Sequence, residues 1–241
     1  VQFFTGLHHP ADAVNFECAF ISVNTIRSRK SAFPVNNWIM DSGAFTTIHK
    51  HGGYPHGPEE YAAQIKRWKG NGNMLAAVSQ DWMCEKVMLE RTGLTVTEHQ
   101  RLTVERYDEL DLAWDCGGAY IMPVLQGYAP AEYVSHIRQY GDRLGPNAWV
   151  GVGSVCKRNG DPKAIEDVLL AIKAERPDLR LHGFGLKRTA FKSKLVVSLL
   201  HTADSMAWSY SARKQGRDAN SWREAKRWTH EVMNVFDPLH H

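Results

Sequence analysis

Leu75-Ala76-Ala77-Val78-Ser79-Gln80-Asp81 is an apolar run that ends abruptly on polar groups. It is too short for an ordinary helix and too continuously apolar for a strand with one wet face. A strand covered on both sides fits it. Before it, Pro58-Glu59-Glu60 opens a helix over 58–68, with Pro near the first turn and acids by the positive end of the dipole. After it, 95–113 is the longest polar helical stretch, with Thr97 and Gln100 as candidate caps. Helix, covered strand, helix is the repeating unit of a parallel sheet.

The same alternation extends outward in both directions. Strands are predicted at 2–5, 19–23, 38–41, 75–81, 119–126, 149–153, 180–184 and 204–208, and further helices at 130–140, 161–175, 189–200 and 219–235. The chain is 241 residues long, a length suited to one α/β unit over 1–241 rather than two small domains. The fold expected is a (β/α)₈ TIM barrel. A doubly wound open sheet is the alternative, because strand order is not written in the sequence. No repeat, low-complexity segment or linker interrupts the pattern.

Composition narrows the classes. Apolar residues make up 43% and charged residues 23%, ordinary for a globular chain. No apolar run approaches the roughly 18 residues of a membrane span, and Val1-Gln2-Phe3-Phe4-Thr5 has no signal-peptide character. The four cysteines, Cys18, Cys84, Cys116 and Cys156, are scattered without a CxxC pair, which points to a reducing cytoplasm. The net charge of +3 by itself identifies no polyanionic partner. Its distribution is more telling. Arg213, Lys214, Arg217, Arg223, Lys226 and Arg227 crowd a C-terminal segment expected as a basic helix over about 211–235, and Lys187, Arg188, Lys192 and Lys194 form a second cluster. Solvated helix faces and a nucleic-acid surface both fit such runs.

A barrel works at the C-terminal ends of its strands. There the sequence places Asp41-Ser42-Gly43-Ala44-Phe45, Gln80-Asp81-Trp82-Met83-Cys84-Glu85, Gln126-Gly127, Gly151-Val152-Gly153-Ser154, His182-Gly183-Phe184-Gly185 and Ala203-Asp204-Ser205. Each has a bland reading as turn chemistry or core. Together they bring carboxylates and a glutamine to one rim. Asp81 can accept two parallel hydrogen bonds from a guanine edge, and Gln126 and backbone N–H groups near Gly153 and Ser154 can donate to a carbonyl oxygen. Gly43 and Ala44 permit close approach of a planar ligand, and Phe45 offers it a ring. Asp204, set in an apolar stretch, needs a partner such as Lys187 or a chemical role. Two carboxylates at a glycosidic carbon can divide nucleophilic and acid–base work. His49, His51 and His56, in a Gly-rich stretch read as a covering loop, have a spacing that makes a poor metal site.

In this order the rim motifs resemble the tRNA-guanine transglycosylases. They resemble more closely the phage and bacterial relatives that insert 7-deazaguanines into DNA, the DpdA-type enzymes. The resemblance rests on Asp41-Ser42-Gly43-Ala44-Phe45, Asp81 with Cys84, Val124-Leu125-Gln126-Gly127, Gly151-Val152-Gly153-Ser154, Gly183-Phe184-Gly185 and Asp204, and it spans nearly the whole chain. It implies Asp204 as nucleophile and Asp41 as general acid/base. Asp81, Gln126, Gly127, Gly153, Ser154, Ser42, Gly43 and Gly183 would surround the base, with Phe45 and His182 sandwiching it.

No cysteine follows Cys156, so the zinc subdomain of the tRNA enzymes is expected to be missing, with no metal and no cofactor. The basic residues Lys187, Arg188, Arg213, Lys214, Arg217 and Arg223 would hold DNA instead of tRNA. A free 7-deazaguanine base, such as 7-cyano-7-deazaguanine, would be the second substrate, in a bacterial or phage-infected cytoplasm. The alternatives are a tRNA transglycosylase, a base-excising glycosylase, a non-catalytic nucleic-acid-binding barrel, and a metal-dependent hydrolase using the His49 stretch.

Overall fold

A computed structural model describes residues 1–113, 117–158 and 161–236; Cys116 lies outside them. Nine strands form one parallel sheet: β1 (Gln2–Gly6), β2 (Cys18–Ser22), β3 (Asn37–Asp41), β4 (Asn73–Val78), β5 (Tyr120–Met122), β6 (Val124–Leu125), β7 (Trp149–Val152), β8 (Arg180–Gly183) and β9 (Leu200–Ser205). The helices are α1 (Val23–Ile26), α2 (Ala44–His51), α3 (Pro58–Trp68), α4 (Lys86–Thr92), α5 (Val96–Ala113), α6 (Pro130–Tyr140), α7 (Pro162–Glu175), α8 (Lys194–Leu199), α9 (Ala207–Lys214) and α10 (Trp222–Phe236).

The strand order is β5-β4-β3-β2-β1-β9-β8-β7-β6. β5 and β6 are two halves of one run, interrupted at Pro123, which has no N–H to donate to the ladder. One half pairs with β4 and the other with β7, so the sheet curls round into the expected (β/α)₈ barrel. At the seam the Tyr120 hydroxyl stitches across to β7, donating to Trp149 O (2.9 Å) and accepting from Trp149 N (3.1 Å).

Strand alternation sorts the core into two layers. Phe4, Ile39, Ala76, Val78, Met122 and Val124 fill the barrel. Their neighbours Phe3, Trp38, Met40, Ala77, Ile121 and Leu125 face the helices. The same alternation turns Ser22, Asp41, Gln126 and Asp204 inward at the rim.

Four expectations are corrected. The last strand is Leu200–Ser205, not 204–208, and the helix expected over 189–200 is a short 3-10 turn (Ala190–Lys192) followed by α8. The apolar run 195–200 reads as helix, while His201 and Thr202 disguise the true strand. Thr202 is nevertheless buried, because its hydroxyl bonds His182 inside the barrel (2.8 Å). The basic segment 211–235 is divided between α9 and α10, with a turn at Gly216 (φ 66°) between them. The stretch with His49 and His51 is helix α2, stopped by Gly52 in the left-handed conformation. A smaller shift concerns α5, where Thr95 and Glu98 form the capping pair instead of Thr97 and Gln100. Among the described residues no helix is long and apolar enough to cross a membrane.

Candidate active site

Where the strands end, a cavity of about 450 Å³ opens, within the usual range for small-molecule sites. Its wall includes Asp41, Asp81, Glu85, Gln126, Gly153, Ser154 and Asp204. Phe20, Phe45, Phe184 and Met206 supply apolar surface. Four carboxylates thus share one largely apolar pocket.

Asp204, near the end of β9, is held from behind. Its Oδ1 accepts from Gly185 N (3.1 Å) and contacts His182 Nε2 (3.2 Å). The His182 ring bridges Asp204 and Thr202. Trp149 Nε1 donates to Thr202 Oγ1 (2.8 Å), which lies 2.8 Å from His182 Nδ1. With the ring proton on Nε2, His182 donates to the Asp204 carboxylate and accepts at Nδ1 from the Thr202 hydroxyl. The chain Trp149–Thr202–His182 therefore orients the carboxylate, as second partners commonly orient a working group. His182 is 0% exposed and stacks on Phe20 (5.7 Å, 14°). This corrects the expectation that it sandwiches a ligand: the ring lies behind the wall, with Phe184 and Met206 on the surface instead.

Asp41 ends β3 opposite Ser22 of β2. Its Oδ2 accepts from Gly43 N (3.1 Å), a turn that requires φ of 70° at Gly43. A Cβ on Gly43 would also lie 2.3 Å from Asn24 Nδ2. Burial raises the Asp41 carboxyl to about 6, the Asp204 charge pushes in the same direction, and bonds from Ser22 and Gly43 oppose them. Phe45, 44% exposed, stands at the mouth and stacks on His49 (6.1 Å, 8°).

Asp81, Gln126 and Ser154 form a network. Gln126 Nε2 donates to Asp81 Oδ2, Ser154 Oγ donates to Gln126 Oε1 (2.8 Å), and Cys84 N donates to Ser154 Oγ (3.1 Å). Burial lifts Asp81 to about 7, against the Gln126 bond and with the charges of Asp41 and Glu85. The backbone of Gln126 is clamped as well. Its N–H donates to His136 Nδ1 (2.8 Å), and its carbonyl accepts from Gln100 (2.7 Å). Burial lowers His136 to about 3, so the ring is neutral and free to accept.

Gly153 makes room for this network, since a Cβ there would sit 2.1 Å from Gln126 Nε2. Gly153→Ala is expected to push Gln126 off Asp81. About 1–3 kcal/mol of stability should be lost to overpacking, which thermal unfolding of the variant checks.

Of the remaining residues read from sequence, Ser42, Gly43, Gly127 and Gly183 do not line the cavity. Cys84 is buried, and burial raises its thiol above its usual range. The basic residues divide. Arg188 pairs with Glu231 and Arg217 with Glu224. Lys214 and Arg223 lie over the Tyr210 and Trp222 rings (5.5 and 4.7 Å). Lys187 is exposed, two residues beyond Gly185 of the wall. Arg213 projects near His8, a wall residue that bonds Ser209 (2.9 Å) and whose basicity is lowered by burial, by His9 and by Arg213. Sequence reading placed Glu85 at the rim without a role, and missed His8, Ser22, Met206 and the clamps His136 and Gln100. Only Glu85 left a signal, as a second acid four residues after Asp81.

A comparison with curated proteins finds no match to the chain. The family model for DpdA, DeoxyPurine in DNA protein A, matches residues 2–233, and so covers the barrel, the cavity and most of α10. The chain therefore belongs to the DpdA family of the tRNA-guanine transglycosylase superfamily, a membership that implies a DNA-modifying transglycosylase.

Proposed function

We propose that this protein exchanges guanine in DNA for a 7-deazaguanine base, such as 7-cyano-7-deazaguanine, through a covalent sugar intermediate on Asp204. The observation that carries the reading is the joining of two groups in one cavity. Asp41 and Asp204 are close enough for their charges to interact, and Asp41 also acts on Asp81 of the Asp81–Gln126–Ser154 network on the same wall.

A target guanosine flipped from the stack enters with its base along the network. Asp81 takes the N1–H and N2 amino edge, and Gln126 with backbone near Gly153 and Ser154 faces O6. Asp204, with Oδ1 held by Gly185 and His182, attacks C1′ through Oδ2. The C1′–N9 bond breaks, and Asp41 delivers a proton to the departing guanine. The incoming base then gives its N9 proton to the Asp41 carboxylate. Its N9 bonds C1′, and Asp204 leaves as a carboxylate. The exposed residues Lys187, Arg188, Arg213, Lys214, Arg217 and Arg223 hold phosphates, with the salt dependence this implies.

The test is incubation with guanine-containing DNA and, separately, tRNA, each with 7-cyano-7-deazaguanine, followed by digestion and nucleoside mass analysis. Deazaguanine in DNA alone is expected. Incorporation into tRNA alone overturns the polymer, and abasic sites without incorporation replace exchange by excision.

A further inference from the structure

Gln80 and Asp81 follow one another beyond the end of β4, yet their side chains serve different spaces. Asp81 lines the cavity described above, and Gln80 lines a second one of about 180 Å³. Gln80 is 5% exposed, and its Oε1 accepts no hydrogen bond among the described residues. A buried amide oxygen gives up its water on folding, and without a donor that loss is not offset. Amides with a structural task are paired inside the fold, as those of Gln100 and Gln126 are. A ligand with a donor would supply Gln80 with what the fold does not. The cavity wall is also firmly built. The Tyr54 hydroxyl donates to Asp81 O (2.7 Å), and the Arg106 guanidinium lies over the Tyr54 ring at 4.9 Å. Arg106 donates to His56 O as well (2.7 Å), which fixes the far side of the same loop.

The two cavities are neighbours at the rim. Tyr54 of the second bonds the backbone of Asp81, and Asn24 Nδ2 donates to Gly43 O (3.4 Å) in the turn after Asp41. Helix α2 borders both, with Phe45 on the first and Thr47 and His51 on the second. A phosphate is a poor occupant of the second. Arg27 Nη1 is engaged by Glu60 Oε2 (2.6 Å), and the anion would face that carboxylate and the Gln80 oxygen. A neutral planar group with a donor beside an acceptor fits better. Nucleobase edges carry that pattern, and a Gln amide pairs with it through two hydrogen bonds. His51 and His56 are exposed and offer rings on which such a group can stack. On the exchange reading, DNA lies across this rim with one guanine in the first cavity, so the next base along the strand is the planar group at hand. Resting on that reading, we infer that the second cavity takes up the unpaired nucleobase adjacent to the target guanine, with Gln80 pairing to its edge. Gln80 then helps set which neighbour is accepted, and the stretch with His51 and His56 has a task.

The test uses single-stranded oligonucleotides with one guanine, in which the base on its 5′ or its 3′ side is replaced by an abasic spacer. Binding is read by fluorescence anisotropy, and incorporation of 7-cyano-7-deazaguanine by nucleoside mass analysis. Both are measured on the full chain, wild type and Gln80→Met, a change that keeps the bulk and removes both polar atoms. In wild type one of the two spacers is expected to weaken binding by about tenfold or more, the scale of a stacked and hydrogen-bonded base, and the other much less. Gln80→Met should weaken binding of the intact strand by about 5- to 10-fold, and the same spacer should then cost correspondingly less. The unfolding temperature of Gln80→Met should be no lower than that of wild type, because the amide has no partner in the fold to lose. A marked drop would assign Gln80 a structural role and overturn the inference. So would equal costs from the two spacers, a spacer cost unchanged in Gln80→Met, or failure of every oligonucleotide to bind. The expected pattern in binding with no incorporation upholds the second cavity and defeats the exchange. Incorporation that neither spacer impairs upholds the exchange and defeats the second cavity.

Discussion

Asp204→Asn is expected to eliminate the covalent protein–DNA adduct and to lower base exchange by on the order of 10⁴-fold or more, the scale on which removing a nucleophile acts. The argument is local. An amide oxygen at the same position still meets the His182 Nε2 proton and the Gly185 N–H, so the strand end and its supports have no reason to move. What disappears is the anionic oxygen proposed to bond C1′. The adduct is read by mixing protein with guanine-containing DNA, denaturing, and separating by size, with no incoming base present to complete the cycle. Unfolding temperatures of wild type and variant taken alongside show whether the fold is kept. An adduct that survives Asp204→Asn but vanishes in Asp41→Asn exchanges the two roles.

Much of this site is legible in the sequence because barrel geometry converts a linear fact into a spatial one. A polar residue directly after an apolar strand must lie at the C-terminal rim, and Asp41, Asp81, Gln126 and Ser154 all do. Two kinds of information are not legible. The first is strand identity where a strand carries polar residues for internal reasons. Thr202 and His182 look like surface residues in sequence, yet each is buried because the other, with Trp149, satisfies it. The polar Thr202 hid β9, and the resemblance gave a stacking role to a histidine that stands behind Asp204. The second is the direction of a side chain at a helix start. In the sequence Glu85 only closes the rim motif begun at Gln80, and its missing cap bond and unpartnered oxygen appear in the structure alone. Helix α2 was obscured by its glycines and histidines, although Gly43 and Gly52 are its two boundaries.

Asp41→Asn is expected to lower exchange by about 10²–10⁴-fold, the usual contribution of a positioned proton donor, and to remove one limb of the pH profile. With the Asp41 carboxyl raised to about 6 by burial and by the Asp204 charge, the protonated form needed to expel guanine is lost as pH rises through 6. Asp81, raised to about 7, must in turn be ionised to receive the guanine edge, so for wild type kcat/KM for DNA should stay level between about 6 and 7 and fall about tenfold per pH unit above 7, while in Asp41→Asn this alkaline limb should be absent. The second half of the cycle asks the opposite of the same group. Once Asp204 is esterified to the sugar its charge is gone, and with it one of the causes that held the Asp41 proton in place. The carboxylate form of Asp41 is then favoured at the step where it must accept the N9 proton of the incoming base. So kcat/KM for the free base should keep its value at pH well above 7, where that for DNA has already dropped. A common alkaline fall for the two substrates, or an alkaline limb that persists in Asp41→Asn, places the titrating group elsewhere.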